Sequence, residues 1–384
     1  AELRPSWRIA VVDAQRAGFG ASARSSGFVV DLAHFIARMD FAASRRYVGL
    51  CRLGIAQLRE AARAHAIDCD WDESGWLHVA AGEAAARDLP GLRAWLDRLG
   101  EPYSWLEQGE LAALLGTPFY RVGVRLPGSV LVQPATLVRG LAGSLPGNVD
   151  LFEESPVRTI TRGRAGRFEI QAEGGRISAG RLFVAANGYS PALGVLRDRV
   201  FPLLTFGSMT RPLTPDEQAA LGGAREWGLL AEDPMGSTLR RTRDQRILVR
   251  NTVRYDPRFA AGRAFRERVR TIHRRSFLAR FPSLEAVGFA HTWGGVMGAS
   301  PNRGHSFGEV EKDLFTAAGY TGAGIAMGTT AGRLLADLAL GEGSAELSDM
   351  LALPAPAWLP PQPFLEVGAR WRVARMNASA GATL

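Results

Sequence analysis

The chain is expected to adopt an α/β and α+β architecture, in which a doubly wound, Rossmann-like domain is interleaved with a second domain built on a mixed or antiparallel sheet. Three observations predict this. Continuous apolar runs suited to strands buried on both faces recur at three distant places, residues 7–12, 181–186 and 314–318. The segments between them, above all residues 149–178 and 201–254, read as short strands and turns of antiparallel type. With 384 residues, 46% of them hydrophobic and 22% charged, the chain exceeds what one simple core holds. Residues 1–70, 132–197 and 288–345 are assigned to the first domain, 71–131 and 198–287 to the second, and 346–384 to a C-terminal tail.

Taken in order, residues 1–5 read as the frayed end of a helix, and 7–12 as a buried parallel strand that ends at the carboxylate of Asp13. Residues 18–27 form a loop of glycines, small residues and hydroxyls around one arginine. A long helix is predicted over 31–65, a strand over 76–80, helices over 84–99 and 107–115, and a strand or hairpin over 122–132 that feeds a helix over 134–145. Short strands follow at 151–152, 157–161, 167–172 and 176–178, and the buried strand 181–186 then delivers Asn187-Gly188. A helix is predicted over 263–281, a strand over 289–296 and a last buried strand over 314–318. The proline-rich stretch 353–363 is expected to wrap a surface.

Composition excludes several classes of function. The net charge is +8, but Lys312 is the only lysine, and the arginines are spread along the chain without forming a basic tail. The arginine-rich stretch 240–250 alternates with Ile247 and Val249 as a strand does, so no nucleic-acid partner is expected. Cys51 and Cys69 provide no disulfide framework, and the six histidines lack metal-ligand spacing, so no metal is expected. No apolar stretch approaches the ~18–20 residues of a membrane span and no leader precedes the first strand; a cytoplasmic protein without a membrane partner is expected. The oligomeric state stays open.

The most informative motif is Gly319-Tyr320-Thr321-Gly322-Ala323-Gly324-Ile325, followed at once by a helical run to Leu340. Its glycines let backbone approach something flat or anionic, and the helix behind them aims its positive dipole end at that partner. A strand–turn–helix crossover in any α/β protein packs in the same way. Asp13 is either the acid that accepts ribose hydroxyls at the end of a strand or a turn aspartate. The loop Ala21-Ser22-Ala23-Arg24-Ser25-Ser26-Gly27 offers N–H groups, hydroxyls and a guanidinium, which suit a pyrophosphate or a flavin edge.

With these stretches together, the sequence resembles the FAD-dependent D-amino-acid oxidase superfamily, and within it most closely the branch of gamma-glutamylputrescine oxidase and similar amine oxidases. The resemblance covers nearly the whole chain. It rests on Val11-Val12-Asp13-Ala14 with residues 18–24, Glu154-Ser155-Pro156-Val157, Val184-Ala185-Ala186-Asn187-Gly188, residues 239–246, Trp293-Gly294-Gly295 with Asn302-Arg303, and residues 319–332. It implies that the first domain binds FAD and the second binds substrate. The adenine would be held by the main chain of Val157, the ribose by Asp13, and the pyrophosphate and isoalloxazine border by residues 21–27. The remaining cofactor positions are Ala186, Asn187, Gly188, Gly319, Gly322, Ala323, Gly324 and Ile325. The helix that follows would face the edge of the flavin that gains negative charge on reduction. A small-molecule amine or amino acid would lose hydride to flavin N5 and leave as an imine, with the flavin re-oxidised by oxygen or another acceptor; an oxidase is expected ahead of a dehydrogenase.

Departures from the family pattern qualify this reading. The family's first strand and its Gly-x-Gly-x-x-Gly turn do not occur, which implies either a preceding segment of roughly thirty residues, one βαβ half, or a remnant with impaired flavin binding. The catalytically inactive relative, serving as scaffold or binding protein, is the alternative reading. The arginine that pairs a substrate carboxylate in amino-acid oxidases has no counterpart at residues 296–299, which favours an amine, unless Arg303 or Arg240 faces the cleft. Both could equally be solvent-facing or structurally paired. Ala323 stands where a histidine is frequent, and the two cysteines lie far from the region where relatives attach flavin, so FAD is expected to be non-covalent. Trp227, Trp293, Phe206, Tyr255 and His291 are either pocket walls or core, and His291 and Trp293, with Arg303, are the candidate catalytic residues.

Overall fold

The computed structural model describes residues 1–232, 236–259 and 261–379. Its largest element is an eight-stranded sheet. The order is Phe289–Ala299, Phe201–Thr210, Ile247–Tyr255, Thr238–Arg241, Trp227–Ala231, Trp76–Ala80, Val122–Leu126 and Ser104–Glu107. Every pairing is antiparallel except that of Trp227–Ala231 with Trp76–Ala80. Side-chain alternation divides the sheet into two faces. Leu77, Val79, Leu229, Leu239 and Val249 join Phe277 and Phe281, on and just beyond the helix Arg263–Arg280, in one core. His78, Leu230, Thr238 and Arg250 therefore share the opposite face.

The parallel material forms two separate pieces. Ile9–Val12 pairs with Val149–Phe152, while Leu182–Val184 pairs with Leu314–Ala318, which is joined in turn by the antiparallel strand Ser306–Glu311. The guanidinium of Arg181 lies 5.3 Å from the Trp7 ring and ties the two pieces together. The expectation of strands buried on both faces holds for Leu314–Ala318, all of whose residues are buried. It fails for the other two: Val11 is 39% and Phe183 42% exposed. Each of these strands has a neighbour on one edge only, so apolar composition alone does not bury it.

The helix expected from residue 31 begins ten residues later, as Phe41–Ala64. Its cap is Asp40, whose carboxylate accepts the Ala43 N–H at 2.9 Å. Asp31 instead is fully buried. It accepts the Leu32 N–H at 2.9 Å and the Ser129 hydroxyl at 2.7 Å, and pairs with Arg52 at 3.2 Å. These bonds fix the irregular segment between the strand Phe28–Val29 and the 3-10 turn Ile36–Arg38. Helix Gly324–Leu340 packs along Phe41–Ala64, with the Thr330 hydroxyl donating to the Leu50 carbonyl at 2.6 Å. The tail folds back on the body. Leu359 N–H donates to the Asp198 carbonyl at 2.8 Å, and the helix Phe364–Ser379, which the sequence reading did not anticipate, reaches Val253 through Asn377 at 3.0 Å.

Candidate active site

The glycine-rich turn closes onto two other segments of the chain. Asn187, held at φ 46°, turns its Oδ1 to accept the Gly319 N–H at 2.9 Å. Thr321 N–H donates to the Gly298 carbonyl at 3.1 Å. Gly319 and Gly322 both take positive φ, 87° and 94°, which carries the chain into helix Gly324–Leu340. The residue before that helix is Ala323, which is buried and has no side chain able to cap the first N–H groups. Those donors therefore keep their hydrogen-bonding capacity for a ligand beside the partly exposed Gly322.

The Arg24 loop docks on the same strand from the other side. Arg24 Nη1 donates to the Gly294 carbonyl at 3.0 Å and its Nε to the Phe19 carbonyl at 2.9 Å. Trp293 returns a bond from its indole Nε1 to the Arg24 carbonyl at 3.0 Å. Ser22 is exposed and Ala21, Ser25 and Ser26 are partly so, but Gly27 is buried with φ 80°. A Cβ there would lie 2.1 Å from the Val132 carbonyl oxygen, so only glycine fits. Arg240 supports this turn from the sheet, donating to the carbonyls of Val132 and Ser26. It is only 3% exposed, which makes it a structural brace rather than a side chain offered to a substrate.

Asp13 lies exposed at the end of Ile9–Val12, its carboxylate accepting the Gln15 N–H at 2.8 Å in an Asx turn. Its own carbonyl accepts the Ser155 N–H at 2.8 Å, which places it two residues from Val157 at the start of the strand Val157–Arg162. Ala186 precedes the 3-10 turn Asn187–Leu193, and Gly188 is buried there against Met297 and Gly298. Ile325 lies in the first turn of the helix, partly buried against the core.

Among the candidate wall residues, Trp293 contacts the sheet at Gly207, while His291 is exposed two residues farther along the same face. Phe206 and Trp227 point the other way: Phe206 packs on Phe265, with ring centroids 5.2 Å apart, and Trp227 on Phe281. They are core, because strand parity sends them to the helix side. Tyr255 is buried and accepts from Gln362 at 3.2 Å. Arg303 has φ 61° and its guanidinium carbon lies 5.8 Å from the centroid of the Phe35 ring.

Two residues missed by the sequence reading sit at the centre. His34 is exposed, with protein packed around its sides. A Cβ on Gly322 would lie 4.0 Å from its Cε1. Burial, then His78, Arg250, Arg303 and Arg38, lower its pKa to about 3, so the imidazole is neutral. Arg250 is likewise surrounded, and burial lowers its pKa. It makes no hydrogen bond or ion pair among the described residues. An arginine inside the largely apolar strand Ile247–Tyr255 was the available signal.

An exposed carboxylate at a strand end, and a guanidinium loop and an uncapped helix start both fastened to the strand Phe289–Ala299, are the features of an oxidoreductase with a nucleotide cofactor. The sequence matches the family of FAD dependent oxidoreductases over residues 1–338, and the chain belongs to that family. A probable oxidoreductase, OrdL, of Rhizobium meliloti is 29% identical over 375 residues, covering 91% of this chain and 81% of that one. The gamma-glutamylputrescine oxidoreductase of Escherichia coli is 26% identical, covering 90% and 80%. The solved glycine oxidase of Geobacillus kaustophilus superposes with a TM-score of 0.74 at 21% identity over 88% of this chain and 89% of that one, which shows the shared fold. Among the described residues, no helix is long and apolar enough to cross a membrane, and no group of three or more His, Cys, Asp or Glu could hold a metal ion.

Proposed function

We propose that the protein oxidises the C–N bond of a small amine or amino acid to an imine, with non-covalent FAD as the immediate oxidant and oxygen as the expected final acceptor. The observation that carries this reading is the uncapped start of helix Gly324–Leu340, set beside Gly322 and Met297 at the mouth of the cleft. Bound FAD supplies a two-electron acceptor for the substrate's hydride. The chain's own residues do the rest. Asp13 offers a carboxylate to ribose hydroxyls and Val157 its main chain to the adenine, while the loop 21–27, braced by Arg240 and Trp293, borders the pyrophosphate. The helix N-terminus stabilises negative charge at the ring edge by up to ~2 kcal/mol in a partly buried geometry.

The cleft wall of His34, Trp293 and Met297 keeps the substrate amine dry, and the neutral His34 adds no competing positive charge beside it. The imine released is hydrolysed in water. Cys51 and Cys69 are both buried in the core, which leaves no thiol for a covalent link at the cleft. Anaerobic mixing of the yellow holoprotein with a panel of amines and amino acids tests the reading: bleaching of the flavin bands, then recovery in air, is expected. A protein that cannot be loaded with FAD, or is bleached by none of them, refutes it.

A further inference from the structure

One row of the large sheet lies on the face turned away from the Phe277 and Phe281 core. Trp293 faces Gly207, Gly207 faces Arg250, and Arg250 faces Thr238, all directly opposed across neighbouring strands and so on one face. The row continues through Leu230 to His78. Because Gly207 has no side chain, the Trp293 ring lies directly over it, next to the strand that carries Arg250.

This row contains two unspent polar groups. Arg250 is half-buried and has no acidic partner among the described residues. Thr238, its cross-strand neighbour, is 2% exposed, and its Oγ1 has no hydrogen-bond partner. A half-buried guanidinium and a buried hydroxyl at facing strand positions, neither with a hydrogen-bond partner among the described residues, leave donor capacity that a ligand with acceptor atoms satisfies. The charges that weigh on His34 reinforce the point, since Arg250, Arg303 and Arg38 all converge on it. Arg303 has in turn Arg38 and Arg372 as its charged neighbours. Glu232, just past the strand Trp227–Ala231, is already paired with His78 at 2.7 Å.

We propose that Arg250 and Thr238, assisted by Arg303, form the subsite for a carboxylate carried by the substrate, so that the amine oxidised is that of an amino acid. The proposal rests on the C–N oxidation argued above. Arg250 would take the carboxylate through its guanidinium fork, and the Thr238 hydroxyl would donate to one of the same oxygens. This leaves the amine end to reach toward Gly322 and His34. It also reverses the sequence reading that the lack of an arginine at 296–299 favours a plain amine: the cation comes from the centre of the sheet, at a position that a strand pattern marks only as half-buried.

The test uses the holoprotein and isosteric probes. Butyrate and butylammonium are titrated by calorimetry, and 2-aminobutyrate, 4-aminobutyrate and butylamine are compared in anaerobic flavin bleaching. Butyrate is expected to bind and butylammonium not to. One of the two amino acids is expected to bleach the flavin at least about a hundredfold more efficiently than butylamine, and which one does so fixes the carboxylate-to-amine spacing. Arg250→Met is expected to weaken butyrate at least about tenfold and Arg250→Lys to retain part of the affinity. Equal binding of butyrate to wild type and Arg250→Met, or equal bleaching by butylamine and the amino acids, overturns the proposal. The butyrate titration is repeated on flavin-free protein. If FAD does not bind, the oxidation reading fails while this titration still decides the role of Arg250.

Discussion

The side-chain oxygen of Asn187 accepts the backbone N–H of Gly319 at 2.9 Å and so ties the end of the strand Leu182–Val184 to the turn that begins helix Gly324–Leu340. Asn187 itself sits in the left-handed region, which asparagine tolerates better than other residues with a Cβ. Asn187→Ala leaves the Gly319 N–H without its acceptor and keeps the unfavourable φ. A loss of about 1–3 kcal/mol in urea denaturation is expected, together with reduced FAD content after purification. Unchanged stability and full FAD content would show that this bond is idle.

Gly298 faces the same asparagine. A Cβ at this position would lie 2.2 Å from Asn187 Oδ1 and 2.9 Å from the Gly188 nitrogen. Gly298→Ala is therefore expected to cost about 1–3 kcal/mol by overpacking. Because the shorter contact is with a side chain, the double variant with Asn187→Ala should be more stable than the sum of the two single effects by at least about 0.5 kcal/mol. Strict additivity in denaturant titrations would contradict the shared contact.

Arg240 bridges the carbonyls of Val132 and Ser26 from beneath the loop that borders the proposed pyrophosphate site. Arg240→Met leaves both acceptors buried without a donor. FAD dissociation, followed by recovery of free-flavin fluorescence, is expected to be at least about tenfold more favourable in the variant. Both bonds come from the one nitrogen Nη1, so lysine, with three donors on a single nitrogen, should restore part of the affinity. Wild-type FAD affinity in both variants would remove Arg240 from the cofactor site.

The parts of the fold carried by local pattern were legible in the sequence. The buried strand Leu314–Ala318 and its turn into a helix, the strand Trp76–Ala80 and the helix Arg263–Arg280 follow from the apolar pattern and glycines within each segment. Features set by distant residues were not. Asp31 reads as a helix start until Ser129 and Arg52 occupy its carboxylate, and Trp7 and Phe183 read as core until the edges of their strands prove unpaired. The candidate site divides in the same way. Glycine turns and the Arg24 loop announce themselves, because backbone approach and anion chemistry require those residues close together in sequence. His34, Thr238 and Arg250 come together only through sheet register, which no single segment encodes.

A last prediction concerns acid. His273 is fully buried, its Nδ1 2.8 Å from Ser208 Oγ and its Nε2 3.4 Å from the Asn251 carbonyl. Burial, together with the charge of Arg250 across the sheet and against the favourable Asn251 bond, lowers its pKa from 6.5 to about 4. The group is neutral at pH 7, donating from Nε2 and accepting at Nδ1. Between pH 6.5 and about 4 the unfolded chain binds a proton that the folded one refuses, so stability rises with pH in this window. The contribution is complete above pH 6.5, is lost as the pH falls toward 4, and changes no further below that. A gap of this size is of order 3 kcal/mol. His305, also buried, has its pKa lowered to about 4 by burial and adds a parallel term. Urea denaturation of the wild type at pH 7 and pH 4.5 should therefore show a steep loss, and His273→Gln should show a smaller one while keeping the dependence due to His305. Identical pH slopes in the two proteins would mean that His273 carries a proton in the folded state, contrary to its position between a hydroxyl and a carbonyl in a sealed core.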